Sequence, residues 1–100
     1  TGFGEGVWLR AERQTAGRGR QGRAWVSPPG NLYASTLVRL RPTDPPAATL
    51  ALVAAVSLEE AARVYLRDGE LLLKWPNDLL LNGAKLSGVL LERVEDAVVV

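Results

Sequence analysis

The sequence contains neither cysteine nor histidine. Disulfide bonds and thiol nucleophiles are therefore excluded within these 100 residues, and so are zinc sites built from the usual Cys and His ligands. The Ser-His-Asp mechanism of hydrolases is excluded for the same reason. We therefore expect no bound zinc, and the residues give no indication of a haem or a flavin.

An excess of one charge is also lacking, because 12 basic residues face 11 acidic ones and leave a net charge of +1. Such a chain is not steered as a whole towards nucleic acid or membrane. The longest apolar run is interrupted by Glu59, Glu60 and Arg63, so no stretch reaches the roughly 18 residues of a membrane span. No leader with a charged start and an apolar middle is visible. We expect a cytoplasmic protein.

Hydrophobic residues make up 47% of the chain, which is typical of one globular domain or part of one. Alternating apolar residues and turn signals predict strands over 7–12, 32–40, 71–75, 79–81 and 85–94, the last interrupted at Gly88, and a final strand in the closing valines. Asn82-Gly83 predicts a tight hairpin turn. The chain starts abruptly and ends within an apparent strand, so we expect a fragment.

One long helix is predicted from about Ala47 to Arg67, with Asp44 as its N-cap and Asp68-Gly69 at its end. Arg67 is expected to face water. The fold class is therefore α+β, with a mixed, largely antiparallel sheet covered by one long helix. The buried stripe of the helix is predicted to consist of Leu50, Val53, Ala54, Val56, Ala61, Val64 and Tyr65.

Basic charge is concentrated in Gln14–Trp25, where glycines alternate with arginines. Glycine permits positive φ and close approach of the backbone to a ligand, and arginine suits carboxylate and phosphate oxygens. A solvated turn is an equally simple interpretation. RNA-binding glycine–arginine tracts are longer and repeated. The glycine spacing matches a dinucleotide-binding motif, but Ser27-Pro-Pro-Gly follows where that fold needs a helix.

Two further motifs carry lysine beside a turn. Lys74-Trp-Pro-Asn-Asp78 is good turn chemistry, but a lysine and a carboxylate flanking a turn can also serve the phosphates of a nucleotide and its magnesium ion. Lys85-Leu-Ser-Gly88 opens a strand, where a lone lysine most often guards an edge against aggregation. Each motif is weak evidence by itself.

In this order and spacing, the three motifs closely resemble the catalytic domain of biotin protein ligases over about Glu12–Val94. The resemblance implies a fold like that of class II aminoacyl-tRNA synthetases, with biotin and ATP with Mg²⁺ as ligands. It places biotin and its adenylate at Gln14, Gly17, Arg18, Gly19, Arg20, Lys85 and Gly88. It places the nucleotide at Trp25, Lys74, Asn77 and Asp78, with Asp78 as a magnesium ligand and Lys85 and Arg18 as catalytic cations.

The resemblance also implies a partner, the biotin carboxyl carrier protein of acetyl-CoA carboxylase. It is compatible with a homodimer, because family members often pair through sheet edges. The Ser-Thr-Asn segment that the family carries upstream and its later Gly-x-Gly-x-Asn turn are missing, so we expect residues 1–100 to be a catalytic domain incomplete at both ends. The DNA-binding helix-turn-helix that some family members carry at the N-terminus is missing too, so no nucleic-acid partner is expected.

Two alternatives stay open. Lipoate ligases share the reaction logic, but their arginine-rich run is followed by glycines and a Tyr-His-Asp, and this chain has no histidine. A non-catalytic module that binds phosphate or nucleic acid would bind polyanions in a salt-dependent way and would be indifferent to biotin.

Overall fold

The structure, a computed structural model, describes residues 4–66 and 68–100. These residues divide into two compact units, one formed by the chain up to Arg41 together with Leu90–Val100 and the other by Pro42–Val89. Each unit has its own sheet. The described elements are β1 (Trp8–Ala11), a 3-10 turn (Arg20–Gly22), β2 (Tyr33–Arg39), a second 3-10 turn (Ala47–Thr49), α1 (Leu50–Tyr65), β3 (Leu71–Lys74), β4 (Asp78–Leu81), β5 (Ala84–Gly88), β6 (Glu92–Val94) and β7 (Ala97–Val99).

The first unit contains a four-stranded antiparallel sheet in the order β1-β2-β7-β6. Ala97 and Val98 of the central strand β7 are buried, and so is Thr36 of β2. The Thr36 hydroxyl donates to the Val7 carbonyl oxygen at 2.8 Å, which satisfies a polar group that would otherwise be costly to bury. The buried residues of this unit therefore lie on its two central strands, β2 and β7.

The second unit packs α1 against a three-stranded antiparallel sheet in the order β3-β4-β5. Ala55 of the helix and Leu71 and Leu79 of the sheet are its buried side chains. Asn82 and Gly83 have φ angles of 51° and 82°, the two positive values that a type I′ hairpin turn requires. The tight turn predicted at this dipeptide is confirmed, and it fixes Leu81 opposite Ala84.

The α+β class with one long helix is confirmed, but the details of the helix differ from the prediction. The helix begins at Leu50 after the 3-10 turn, so Asp44 is not its N-cap. Its last residue is Tyr65, and the predicted position of Arg67 lies outside the described residues.

The predicted buried stripe is largely wrong. Val53, Val56 and Val64 are exposed, by 58%, 44% and 78%, and Tyr65 is exposed as well. Apolar residues surround most of the helix, so periodicity alone cannot choose the face that meets the sheet. The chosen face is mostly alanine, whose small side chain lets the helix lie close to the strands. Its residues are Ala51, Ala54, Ala55, Leu58 and Ala62.

One predicted strand is also wrong. The region 85–94 forms two strands, β5 and β6, which belong to different sheets. The chain leaves the ladder at Val89, whose N–H and carbonyl both bond to Asn77 instead of to a neighbouring strand. Within the described residues no helix has the length and apolar character that crossing a membrane would require.

Candidate active site

The glycine–arginine segment forms a tight hairpin, here called the arginine hairpin (residues 17–25). The Trp25 N–H donates to the Gly17 carbonyl at 3.0 Å, and the Gly19 N–H donates to the Arg23 carbonyl at 2.7 Å. Between these bonds Arg18 pairs with Ala24. Gln21 and Gly22 turn the chain with φ angles of 59° and 71°. Residues with positive φ at both central positions give the twist that suits a tight hairpin.

The glycines of this hairpin have different tasks. Of Gly17, Gly19 and Gly22, only Gly22 has positive φ, so the expected need for that conformation holds at one position of the three. At Gly17, a Cβ atom would lie 3.0 Å from the Gln14 side-chain oxygen and from the Trp25 carbonyl oxygen. At Gly19, it would lie 3.7 Å from the Trp25 ring. Gly17 is therefore packed tightly at the base of the hairpin, and a Cβ atom there would have to displace Gln14 or Trp25 slightly.

The arginines of the hairpin are exposed to solvent. Arg18 lies near Glu92 of β6, with 4.0 Å between Nη2 and Oε2, and both side chains are more than half exposed. An ion pair with this geometry contributes at most about 1 kcal/mol. In the part of the chain that the structure describes, no carboxylate lies within ion-pair distance of Arg20 or Arg23. The hairpin thus presents positive charge that an anionic ligand can approach.

The second cluster lies on the sheet of the second unit and is here called the lysine face (Lys74, Asp78, Lys85 and Gly88). Lys74 of β3 and Gly88 of β5 stand opposite Asp78 of β4 in the register, and cross-strand partners point to the same side of a sheet. Lys85 stands opposite Leu80, which is two residues beyond Asp78 and so shares its side.

The lysine face is the open side of the sheet. Leu79 points to the other side and is 1% exposed, where α1 covers the strands. On the open side, the Lys85 ammonium lies 3.1 Å from Oδ1 of Asp78. The structure therefore brings together four predicted residues from two separate motifs of the sequence. All four come from strands, which hold side chains more firmly than loops do.

A β-bulge sets the details of this face. The pairing of β4 with β5 shifts between Leu79 and Leu80, and Leu86 is left without a partner strand residue. A regular hairpin from the Asn82-Gly83 turn would have placed Ser87 opposite Asp78, whereas the bulge places Gly88 there. The residue beside the carboxylate therefore has no side chain.

Asn77 holds the turn that precedes Asp78. The Asn77 side-chain N–H donates to the Val89 carbonyl oxygen at 2.8 Å, and the Asn77 backbone carbonyl accepts from the Val89 N–H at 2.9 Å. The Trp75–Pro76 peptide bond in the same turn is cis. The predicted contact of Asn77 with a nucleotide stays a prediction, since these bonds use the amide N–H but leave the side-chain oxygen available.

The metal prediction rests on one carboxylate. In the described residues, no group of three or more His, Cys, Asp or Glu side chains could hold a metal ion. Mg²⁺ often binds proteins through one or two carboxylates and completes its shell with water and substrate phosphates. Asp78 fits that pattern only together with a nucleotide, and in the structure it contacts Lys85. Its role as a ligand stays a prediction.

The predicted residues thus form two groups, one in each unit. Gln14, Gly17, Arg18, Gly19, Arg20 and Trp25 belong to the first unit, and Lys74, Asn77, Asp78, Lys85 and Gly88 to the second. That the two groups contact one and the same ligand stays a prediction. The sequence analysis did not include Glu92, the neighbour of Arg18, because no local pattern links β6 to the hairpin. It also missed the buried Ser27 hydroxyl, which has no hydrogen-bond partner among residues 4–66 and 68–100.

The described residues thus present two clusters of cationic side chains on an α+β fold, one on the arginine hairpin and one on the lysine face. Residues 7–100 match the model of the biotin/lipoate A/B protein ligase family. The chain belongs to this family.

Individual relatives agree with this assignment. The chain is 49% identical over 94 residues to a biotin–[acetyl-CoA-carboxylase] ligase of Paracoccus denitrificans, a match over 91% of this chain and 38% of that protein. It is 47% identical over 83 residues to the bifunctional ligase/repressor BirA of Escherichia coli, over 82% of this chain and 26% of that protein. The chain therefore spans well under half of these relatives.

Two solved structures of biotin protein ligases agree with the family assignment. The biotin protein ligase of Aquifex aeolicus in complex with biotin and ATP superposes with a TM-score of 0.84 at 40% identity, over 96% of this chain and 40% of that one. The Leishmania major enzyme in complex with biotinyl-5-AMP superposes with a TM-score of 0.76 at 30% identity, over 92% and 43%.

Proposed function

We propose that this chain is the part of a biotin protein ligase that activates biotin with ATP to biotinyl-5′-AMP. In this proposal the biotin then passes to a lysine of a biotin carboxyl carrier protein, the acetyl-CoA carboxylase subunit. Residues 1–100 would be a catalytic domain that lacks segments at both ends. The observation that carries the proposal is the open lysine face, on which Lys74, Asp78, Lys85 and Gly88 meet in a chain of this family.

The first reaction suits a site without histidine or cysteine. A carboxylic acid titrates near pH 4, so the biotin carboxylate is ionised at neutral pH and attacks the α-phosphate without a general base. A bond forms between a carboxylate oxygen and the α-phosphorus, and the bond from that phosphorus to the leaving pyrophosphate breaks. The obstacles are repulsion between two anions and charge that builds on the phosphate oxygens. Lys85 and Arg18 are the cations that we assign to that charge, and one such contact is worth about 3–4 kcal/mol.

The arginine hairpin would retain the product of this step. Biotinyl-5′-AMP is a mixed anhydride, which water hydrolyses unless the site excludes it. We assign biotin and its adenylate to Gln14, Gly17, Gly19 and Arg20 in addition to the catalytic cations, and the adenine ring to Trp25. A short hairpin that closes over the ligand would protect the anhydride until the carrier lysine attacks its carbonyl carbon and AMP leaves.

Magnesium would enter with ATP as part of the substrate. The phosphate oxygens would supply most of its ligands, since the lysine face contains a single carboxylate. The Lys74 ammonium, which stands beside Asp78 in the register, would face the same phosphates.

We also propose that two copies of the protein pair through a sheet edge and that the protein is cytoplasmic. The edge strands of the four-stranded sheet are β1 and β6.

The proposal is tested by incubating the complete protein with ATP and Mg²⁺ and either biotin or lipoate. Mass spectrometry detects the adenylate, and a coupled assay detects pyrophosphate. We expect pyrophosphate and biotinyl-AMP with biotin, and neither pyrophosphate nor lipoyl-AMP with lipoate. Lipoyl-AMP alone would reassign the chain to the lipoate branch of the family. Absence of both adenylates, together with salt-dependent binding of a polyanion such as heparin, would favour a non-catalytic module.

A further inference from the structure

Asp78 stands between the two lysines of the lysine face. We infer that Asp78 is a positioning residue for Lys85: its carboxylate holds the Lys85 ammonium over the open side of the sheet, and this task, not direct binding of Mg²⁺, is its main contribution to catalysis. The inference rests on the proposed function, because it concerns the cation that we assign to biotin activation.

The ion pair between Lys85 and Asp78 is better shielded from solvent than the Arg39–Asp96 pair of the first unit. Lys85 Nζ and Asp78 Oδ1 are 3.1 Å apart, and the Asp78 side chain is 22% exposed. The Arg39–Asp96 pair, by comparison, is 3.5 Å apart and its carboxylate is 70% exposed. Solvent and salt screen a partly buried carboxylate less, so its attraction for an ammonium is stronger. A free lysine would otherwise distribute its flexible stem over many rotamers.

The backbone around Asp78 makes its carboxylate a fixed reference point. Asn77, the residue before it, is bonded twice to Val89, and Asp78 itself begins the central strand of the sheet. The bulge at Leu86 then places Gly88 directly opposite Asp78, so the cross-strand partner of Asp78 has no side chain. Both features help to keep the carboxylate in place beside the Lys85 ammonium.

The same geometry argues against a main role in metal binding. Oδ1 of Asp78 already lies within hydrogen-bond distance of an ammonium. The described residues offer no second carboxylate on this face to share an ion with it. A divalent cation bound at Asp78 would also lie close to the positive charges of Lys85 and Lys74, which raises its electrostatic cost.

A double-mutant cycle in the complete protein tests the inference. The variants are Asp78→Asn, Lys85→Ala and the two together, and the measured quantity is the rate of biotinyl-AMP formation as a function of Mg²⁺ concentration. We expect Asp78→Asn to lower the rate at saturating biotin and ATP about 10- to 100-fold, as a displaced catalytic group does. The Mg²⁺ concentration at half-maximal rate should stay unchanged. In the Lys85→Ala background, Asp78→Asn should have no further effect, because it acts through the missing lysine.

Two further variants complete the experiment. Glu59→Gln removes a carboxylate from another ion pair of the same unit, the one with Arg63 on α1, and should leave the rate unchanged. Asp78→Glu keeps the charge and should retain most of the rate even if Asp78→Asn does not fold. An increased Mg²⁺ requirement in either Asp78 variant would overturn the inference, and so would an equal effect of Asp78→Asn with and without Lys85. Failure of the wild-type protein to form biotinyl-AMP would instead refute the proposed function.

Discussion

The arginine hairpin and the lysine face both carry positive charge but are held in different ways. The hairpin stands at the surface and is closed by a few backbone hydrogen bonds, and its arginines have at most the distant Glu92 as an ion-pair partner in the described residues. The lysine face lies on three paired strands, one of whose leucines is almost fully buried. Rigid strands suit a group that must be in place before the reaction, and a small hairpin suits one that must open for substrate.

Removal of the Lys85 ammonium tests the rigid half of this contrast and has the largest expected effect. We predict that Lys85→Ala lowers biotinyl-AMP formation by roughly 100- to 1,000-fold, the usual loss for one donor aimed at developing charge. The melting temperature should change by only about a few degrees, because the side chain is 42% exposed and contributes little to the core. Pyrophosphate release at fixed substrate concentrations measures the loss.

The matched control is Arg63→Ala, which removes a cation from α1 in the same unit and should leave the rate unchanged. Near-normal pyrophosphate release by Lys85→Ala would reject the catalytic role of this lysine. A large fall in melting temperature would instead mean that the ion pair with Asp78 is needed for folding.

The hairpin half of the contrast is tested by Arg18→Gly. We predict that this variant forms biotinyl-AMP more slowly, because it lacks one of the two cations assigned to the developing charge. It should also release the adenylate about 10- to 100-fold faster, because a hydrogen bond to a charged group contributes about 1.5–3 kcal/mol. Escaped adenylate should biotinylate lysines of bystander proteins such as added serum albumin, which a streptavidin blot detects. Arg13→Gly, outside the hairpin, is the control. Equal labelling of albumin by the two variants would count against a retaining role for Arg18.

Much of this arrangement could be predicted from the sequence, and the failures have physical causes. Most strands and the Asn82-Gly83 turn follow local alternation and turn chemistry, so they were found, whereas the single strand predicted over 85–94 proved to be two. The buried face of α1 was not, because apolar residues surround the helix and only packing selects one side. The site motifs identified Lys74, Asp78 and Lys85, but their common face depends on register across three strands. The position of Gly88 depends on a bulge that no local signal marks.

The packing inside the hairpin can be tested by adding a methyl group at Gly17 or at Gly19. Gly17→Ala would place a methyl group 3.0 Å from the Trp25 carbonyl oxygen, whereas Gly19→Ala would place one at an ordinary 3.7 Å from the Trp25 ring. We predict that Gly17→Ala destabilises the hairpin by about 1–3 kcal/mol, as overpacking does elsewhere. Trypsin should then cut at Arg18, Arg20 or Arg23 several-fold faster, and Gly19→Ala should be cut like the wild type.

Biotin with ATP sharpens the same assay. A hairpin that closes over the adenylate should be cut more slowly in the wild type when both ligands are present, and Gly17→Ala should lose part of that protection. Cutting that is indifferent to the ligands in the wild type would contradict closure of the hairpin. Equal cutting of the two alanine variants would show that contact with Trp25 does not decide the shape of the hairpin.

The smallest expected effect concerns the ion pair between the hairpin and β6. Arg18 and Glu92 are 4.0 Å apart and more than half exposed, so their attraction is weakened by solvent. We predict that Glu92→Gln changes the retention of biotinyl-AMP less than about twofold, and that even this difference vanishes in 0.5 M salt, where the screening length falls to about 4 Å. Glu95→Gln in the next turn is the matched control. A tenfold change specific to Glu92→Gln would mean that β6 fixes the arginine before the ligand arrives, and the hairpin would then be as rigidly prepared as the lysine face.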